Sequence, residues 1–323
     1  MARTRYAPDR GLTVRMTVTM FLLGLVFVAF VVGIILILTA VHASGAAIVL
    51  FALVFGGGSA IASLFFSDKI ALAAAGARVV TPQEAPELHG VVDRLCALAN
   101  MDKPRVAIAP TRMPNAFATG RNSKNSVLCV TEGLIDPRPG GLELTKEELE
   151  GVLAHELSHV AHKDVQVMTV ASLLAIVAAL LVRFAFYSEL FGGGRRSNDQ
   201  NAIPVILIIL VVSAVVYAVS FLLIRLLSRY RELAADRSGA LLTGQPSALA
   251  SALVKVSNSM SRIPTQDLRA AEAMNAFYFA PAMKLNGQGG PSLSAVFSTH
   301  PSLERRLEEL AKIQKQLGQV SPK

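Results

Sequence analysis

Tryptophan is absent from this chain, cysteine occurs twice, and only 17% of the residues are charged. Each scarcity excludes something. The basic residues that give a net charge of +8 form no run interleaved with aromatics, so the chain does not read as a nucleic-acid binder. Cys96 and Cys129 form neither a CxxC pair nor a disulfide framework; they read as small buried hydrophobes in a reducing compartment and say nothing about a metal. So little charge beside 52% hydrophobic residues is too apolar for an ordinary soluble globule of 323 residues. No internal repeat or low-complexity tract is visible.

What is abundant is long apolar sequence. One stretch runs from about Met16 to Val41 without a charge, and a second from about Gly45 to Phe66. At about 1.5 Å per helical residue each can cross ~30 Å of hydrocarbon. The first is longer than the apolar core of a cleaved signal peptide and is followed at once by the second, so the pair reads as a transmembrane hairpin. A third stretch, Gln166 to Tyr187, is interrupted by Arg183, which can snorkel from a helix end, and a fourth runs from Ile203 to Ile224. A buried or interfacial helix pair is the other reading of this second hairpin. Arg3, Arg5, Arg10 and Arg15 precede the first span, and Lys69, Arg225, Arg229 and Arg231 flank later ones. By the positive-inside bias these predict an N-terminus and catalytic region on the cytoplasmic side, which Arg195 and Arg196 weakly oppose.

Between the hairpins, apolar residues at Leu88, Val91, Val92, Leu95 and Leu98 mark one face of a helix. Short β-like runs at Arg105–Ala109, Asn115–Thr119 and Asn125–Thr131 predict a small sheet. Thr145 with Glu148 three residues later forms a capping box, with Leu144 and Leu149 placed for a hydrophobic staple. The helix starting there carries His155-Glu156-Leu157-Ser158-His159, in which two imidazoles four residues apart share a face and can bind one zinc ion. Glu156, on the neighbouring edge, can take a proton from water and pass it to a leaving amine.

Catalytic zinc needs a third protein ligand. His162 shares the helical face but lies one turn further, about 5.4 Å along the axis, and reads as a polar residue at the membrane boundary. Glu232 is the better candidate, with Asp236 one turn on to accept the spare N–H of a ligating histidine, although carboxylates four apart near arginines also describe a solvated helix face. Geometry favours Glu232. Gly151 is the sole Gly or Pro between Thr145 and Leu190, so the His155 helix is expected to run unbroken into the third span; none intervenes between Val205 and Ser238. Two antiparallel helices would then bring His159 and Glu232 to equal height, each about 10 Å from a span.

Four ordered blocks resemble the HtpX-type membrane proteases, relatives of the CAAX prenyl proteases, over about Thr81 to Leu310. They are Pro114-Asn115-Ala116-Phe117-Ala118-Thr119-Gly120, His155 to His159, Arg231-Glu232-Leu233-Ala234-Ala235-Asp236, and Thr299-His300-Pro301 followed by Arg306. The resemblance implies a gluzincin-type zinc peptidase with His155, His159 and Glu232 as ligands of one Zn2+ per chain, Glu156 as base and Asp236 beside a ligand. It also implies that His300 stabilises the oxyanion, that Arg306 braces the acidic cluster, and that Asn115 and Ala116 lie on an edge strand pairing with substrate. An ordinary turn at Asn115 and a helix-start His-Pro at His300 are the plainer readings.

The expected class is α+β: a mostly helical gluzincin-like zinc peptidase domain with a small sheet, fused to four transmembrane helices in two hairpins. Its expected parts are a basic cytoplasmic tail (1–15), hairpin one (16–66), the first part of the peptidase domain (67–165), hairpin two (166–226) and the second part (227–323). The expected activity is endopeptidase cleavage of membrane or unfolded proteins for quality control, in a multi-pass protein of the cell's inner membrane. The alternatives are a dedicated processing protease of prenyl-protease type and a catalytically silent zinc-binding scaffold. Oligomeric state and cleavage preference are not legible.

Overall fold

The computed structural model describes residues 10–40, 65–66, 68–120, 123–136, 142–169, 171, 202–261 and 300–320. The second apolar stretch, the glycine-rich connector 192–199, most of the third stretch, Pro264 and the linker 286–291 lie outside the described residues, but for Phe65, Phe66, 166–169 and Ala171. The chain divides into two compact units: Met1–Thr13, Phe65–Val165 and Ser228–Lys323 form one, Val14–Leu64 and Gln166–Leu227 the other.

The second unit contains most of helix α1 (Arg10–Ala40) and the first part of a 42-residue helix (Ala202–Thr243), α5 in the chain order used below. Leu23, Ala171 and Leu227 form its small buried cluster, with Met16, Met20, Val167, Met168, Leu223 and Ile224 packed around them. Most of the remaining apolar surface stays exposed, including Phe21, Leu25, Val28, Leu207, Val211, Val215 and Leu222. Large side chains exposed in this number lack an aqueous explanation. Among the described residues, two helical segments, Arg10–Phe30 and Leu210–Thr243, are long and apolar enough to cross a membrane.

The first unit is built on a four-stranded mixed sheet: β1 (Arg78–Val79), β2 (Arg105–Ala109), β3 (Ala116–Gly120) and β4 (Ser126–Thr131). Their order is β1-β2-β4-β3, with β2 and β4 parallel and the other two pairs antiparallel. Strand alternation sorts the side chains. Ala107, Ala109, Phe117, Val127 and Cys129 face one side, covered by Ala71, Leu72 and Ala75 of a helical segment. Val106, Ala116, Leu128 and Val130 face the main core. That core is completed by α2 (Pro86–Ala99), α4 (Lys146–Ala161), α6 (Pro246–Ser261) and α7 (Leu303–Val320), with the single turn α3 (Glu132–Ile135) after β4. Leu88, Val91, Val92 and Leu95 are buried as their spacing predicts, whereas Leu98 is 37% exposed at the end of its helix. Both cysteines are free and buried.

The helix bearing the histidines starts as expected: Glu148 N donates to Thr145 Oγ1 at 3.2 Å and Thr145 N donates to Glu148 Oε2 at 2.7 Å. It does not end as expected. Instead of running on, α4 stops at Ala161, and Lys163 takes φ +57 before helix resumes at Asp164. A left-handed lysine costs about 1–2 kcal/mol. The break is a tertiary effect, because it turns Asp164 back toward His159, where its carboxylate finds partners. By contrast α5 runs unbroken through Ser238 to Thr243; Gly244 at φ +70 and Pro246 then open α6.

Candidate metal centre

Helices α4 and α5 meet through small residues. A Cβ on Gly239 would lie 2.9 Å from His155 N and 3.1 Å from its Cα, so the backbones approach as closely as they do because glycine is there. This contact brings the charged turn Arg231 to Asp236 beside the histidines.

Nε2 of His155 and Nε2 of His159 lie 3.3 Å apart, with the rings edge to face at 86°. Glu232 places Oε2 3.7 Å from the first and Oε1 3.6 Å from the second. Tetrahedral zinc with bonds of about 2.0–2.1 Å needs its ligand atoms about 3.3–3.4 Å apart, a spacing that the two nitrogens and the carboxylate facing them nearly meet. The opposite ring nitrogens settle the protonation. Nδ1 of His155 is 2.9 Å from Asp236 Oδ1, and Nδ1 of His159 bonds Asp164 Oδ2 at 2.6 Å. A carboxylate at each Nδ1 holds the proton there, leaving two lone pairs and a carboxylate oxygen converging on one point. All three residues are buried, and uncompensated they repel. The donor set therefore fits a divalent cation, and His155, His159 and Glu232 are the residues that could hold it. His162, the α4 C-cap, is not among them.

Burial pushes His155 below its ordinary value, against the pull of Asp236. For His159 burial acts the same way but is outweighed by Asp164 and Glu232, so its pKa rises. Burial, with repulsion from Glu232, pushes Glu156 up to about 8 despite the nearby His159. The Ala118 N–H donates to Glu156 Oε2 at 3.1 Å, tying this carboxylate to strand β3.

Arg306, 1% exposed on α7, donates to Asp236 through Nε at 2.7 Å and Nη2 at 2.6 Å, and Nη1 lies 3.9 Å from Glu232. This is the arginine for which the resemblance implies a bracing role. His300 Nδ1 sits 3.1 Å from Glu232 Oε2, so this histidine stands beside the carboxylate that faces the two imidazoles, in the same buried cluster. Asn115 is more constrained than expected. It precedes β3, and its backbone N–H and C=O are both engaged with Thr131, donating to Oγ1 at 2.8 Å and accepting from N at 2.9 Å. Ala116 begins β3, whose only strand neighbour among the described residues is β4. By the two-residue period its backbone groups point to the same side as those of Ala118, toward Glu156.

Two participants escape a reading of the sequence. Asp164 follows His159 by five residues, off its helical face in any continuous helix, and Arg231 reads as a flanking charge. Their meeting, Nε to Oδ2 at 3.0 Å, depends on the break at Lys163.

Residues 82–314 match the family described as Peptidase family M48. Among curated proteins the chain is similar to Protease HtpX homolog 1 of Streptomyces coelicolor, 58% identical with 98% of each chain covered. It is also similar to the Protease HtpX homolog of Moorella thermoacetica, 48% identical over 98% of each. Protease HtpX homolog 2 of Methanosarcina mazei is 47% identical, with 98% of this chain and 100% of that one covered. No solved structure matches.

Proposed function

This chain belongs to peptidase family M48 as a member of HtpX type, and on that premise we propose that it is a membrane-embedded zinc endopeptidase cleaving membrane or misfolded proteins. The observation that carries the reading is the convergence of two imidazole nitrogens, 3.3 Å apart, with the Glu232 carboxylate, whose oxygens lie 3.6 and 3.7 Å from them, and with Glu156 beside them. Zinc bound there supplies a Lewis acid that polarises a carbonyl and lowers the pKa of water to about 7.

The rest is the work of the chain. Glu156, anchored by the Ala118 N–H, is the general base that takes a proton from the attacking water and returns it to the leaving amine. His300, beside Glu232, is assigned to offset charge developing on the substrate oxygen, and Arg306, which donates to Asp236, to neutralise the acidic cluster. An extended substrate backbone fits the outer edge of β3 at Ala116, with Asn115 fixing the start of that edge. The two apolar helices support a membrane protein. That it crosses the cell's inner membrane in two hairpins with the N-terminus and site cytoplasmic is part of the proposal, resting on the apolar stretches and the charge bias of the sequence, and would suit substrates emerging from lipid.

Glu156→Gln is expected to lower cleavage of casein or a membrane-protein substrate by about 10²–10⁴-fold in detergent-purified protein, with zinc retained on elemental analysis. Glu232→Ala is expected to lose the zinc. Undiminished cleavage by the first variant, or full zinc occupancy in the second, refutes the assigned role.

A further inference from the structure

His159 has an anchor of its own. Asp164 is 2% exposed, and a carboxylate taken that far from water must be matched by charge and hydrogen bonds. Both are present: His159 Nδ1 at 2.6 Å and Arg231 Nε at 3.0 Å share the one oxygen, Oδ2. In a straight helix a residue five places on lies about 140° around the axis and could not reach that nitrogen. The chain reaches it by stopping α4 at Ala161 and turning through Lys163 at φ +57, a conformation for which lysine has no preference. The interaction therefore holds the turn, not the reverse.

We propose that Asp164 and Arg231 are a positioning pair for the metal centre, keeping the proton of His159 on Nδ1 and its Nε2 at the depth where it meets the cation. The proposal rests on reading His159 as a ligand. It makes the centre two-sided: His155 is backed by Asp236 and Arg306, and His159 by Asp164 and Arg231. Helix α5 links the two sides, since Arg231 neighbours Glu232 and Asp236 follows one turn later. Displacing that turn would disturb the ligand and both anchors together.

The test measures zinc affinity of the full-length protein in detergent, by competition with a chromophoric chelator, and the visible spectrum of the cobalt-substituted form. Asp164→Ala is expected to weaken zinc binding by about 10–100-fold and alter the cobalt spectrum, with helical content unchanged. Asp164→Asn, whose amide oxygen still accepts the Nδ1 proton but offers Arg231 no charge, should fall between. Arg231→Met should weaken binding less than Asp164→Ala, and the double variant no more than Asp164→Ala alone, because both act through one contact. His159→Ala serves as the reference. If it loses zinc while Asp164→Ala binds within twofold of wild type, the positioning role is overturned alone. If His159→Ala also binds normally, the ligand reading falls and the proposal with it. Should Asp164→Ala not fold, Asp164→Asn decides: wild-type affinity and spectrum there overturn the proposal.

Discussion

Glu148 joins the start of α4 to α6 through a single buried carboxylate. It accepts from Thr145 N at 2.7 Å, Ser251 Oγ at 2.5 Å and Lys255 Nζ at 2.8 Å. Burial acts to raise its pKa, but the bonds from Lys255, Ser251 and Thr145 outweigh it and hold the group below its ordinary 4.5. The folded protein thus takes up this proton less readily than the unfolded chain. The stabilisation is complete above about 4.5 and is lost as pH falls through the folded value. Glu148→Gln is expected to cost about 1–3 kcal/mol at pH 7. The gap between variant and wild type should close as the pH drops from about 5 to about 3, in denaturant melts of the detergent-solubilised protein. A gap that holds constant or widens in acid would mean that Glu148 acts through shape and not charge.

Among the elements, the approach of α4 to α5 sets the site, and Gly239 sets the approach. Its missing Cβ would strike the His155 backbone, which has no flexible end to yield. Gly239→Ala is expected to cost about 1–3 kcal/mol and, by shifting the turn bearing Glu232 and Asp236, to weaken metal binding. Gly151→Ala offers a comparison: its nearest atoms, at 3.1–3.2 Å, belong to Leu249 on α6, away from the ligands. If Gly151→Ala impairs metal binding as much as Gly239→Ala, the loss is general loosening and not displacement of α5. The elements themselves are largely legible in the sequence. The capping box announces α4, the β-like runs announce three of the four strands within a residue of their ends but not the two-residue β1, and the glycine-free run predicts α5. Glu232 and Asp236 are legible as candidates because they share a helical face with the right chemistry. The end of α4 is not, because neither glycine nor proline marks it: the turn at Lys163 goes with the contact of Asp164 with Arg231, far along the chain. Nor is Gly239, whose meaning depends on what packs opposite.

The first unit is assembled from chain segments separated by the second unit's stretches, and the centre draws on two of them. Phe65–Val165 supplies His155, Glu156, His159 and Asp164, while Ser228–Lys323 supplies Arg231, Glu232, Asp236, His300 and Arg306. A cation held by His155, His159 and Glu232 is consequently a cross-link between remote parts of one core, and it binds the folded chain in preference to the unfolded one. At free metal about 1,000-fold above Kd, such binding adds about 4 kcal/mol, on the order of 10 °C in the midpoint of a unit this size. Removing the metal with a chelator should lower the thermal midpoint of wild type by that order and leave Glu232→Ala unmoved. Glu156→Gln, which keeps all three ligands, should respond as wild type does. Coincident melts for loaded and chelated wild type, with metal content confirmed, would show that the two segments hold together without the ion. The carboxylate–arginine pairs would then carry the assembly, and the ion would serve chemistry alone.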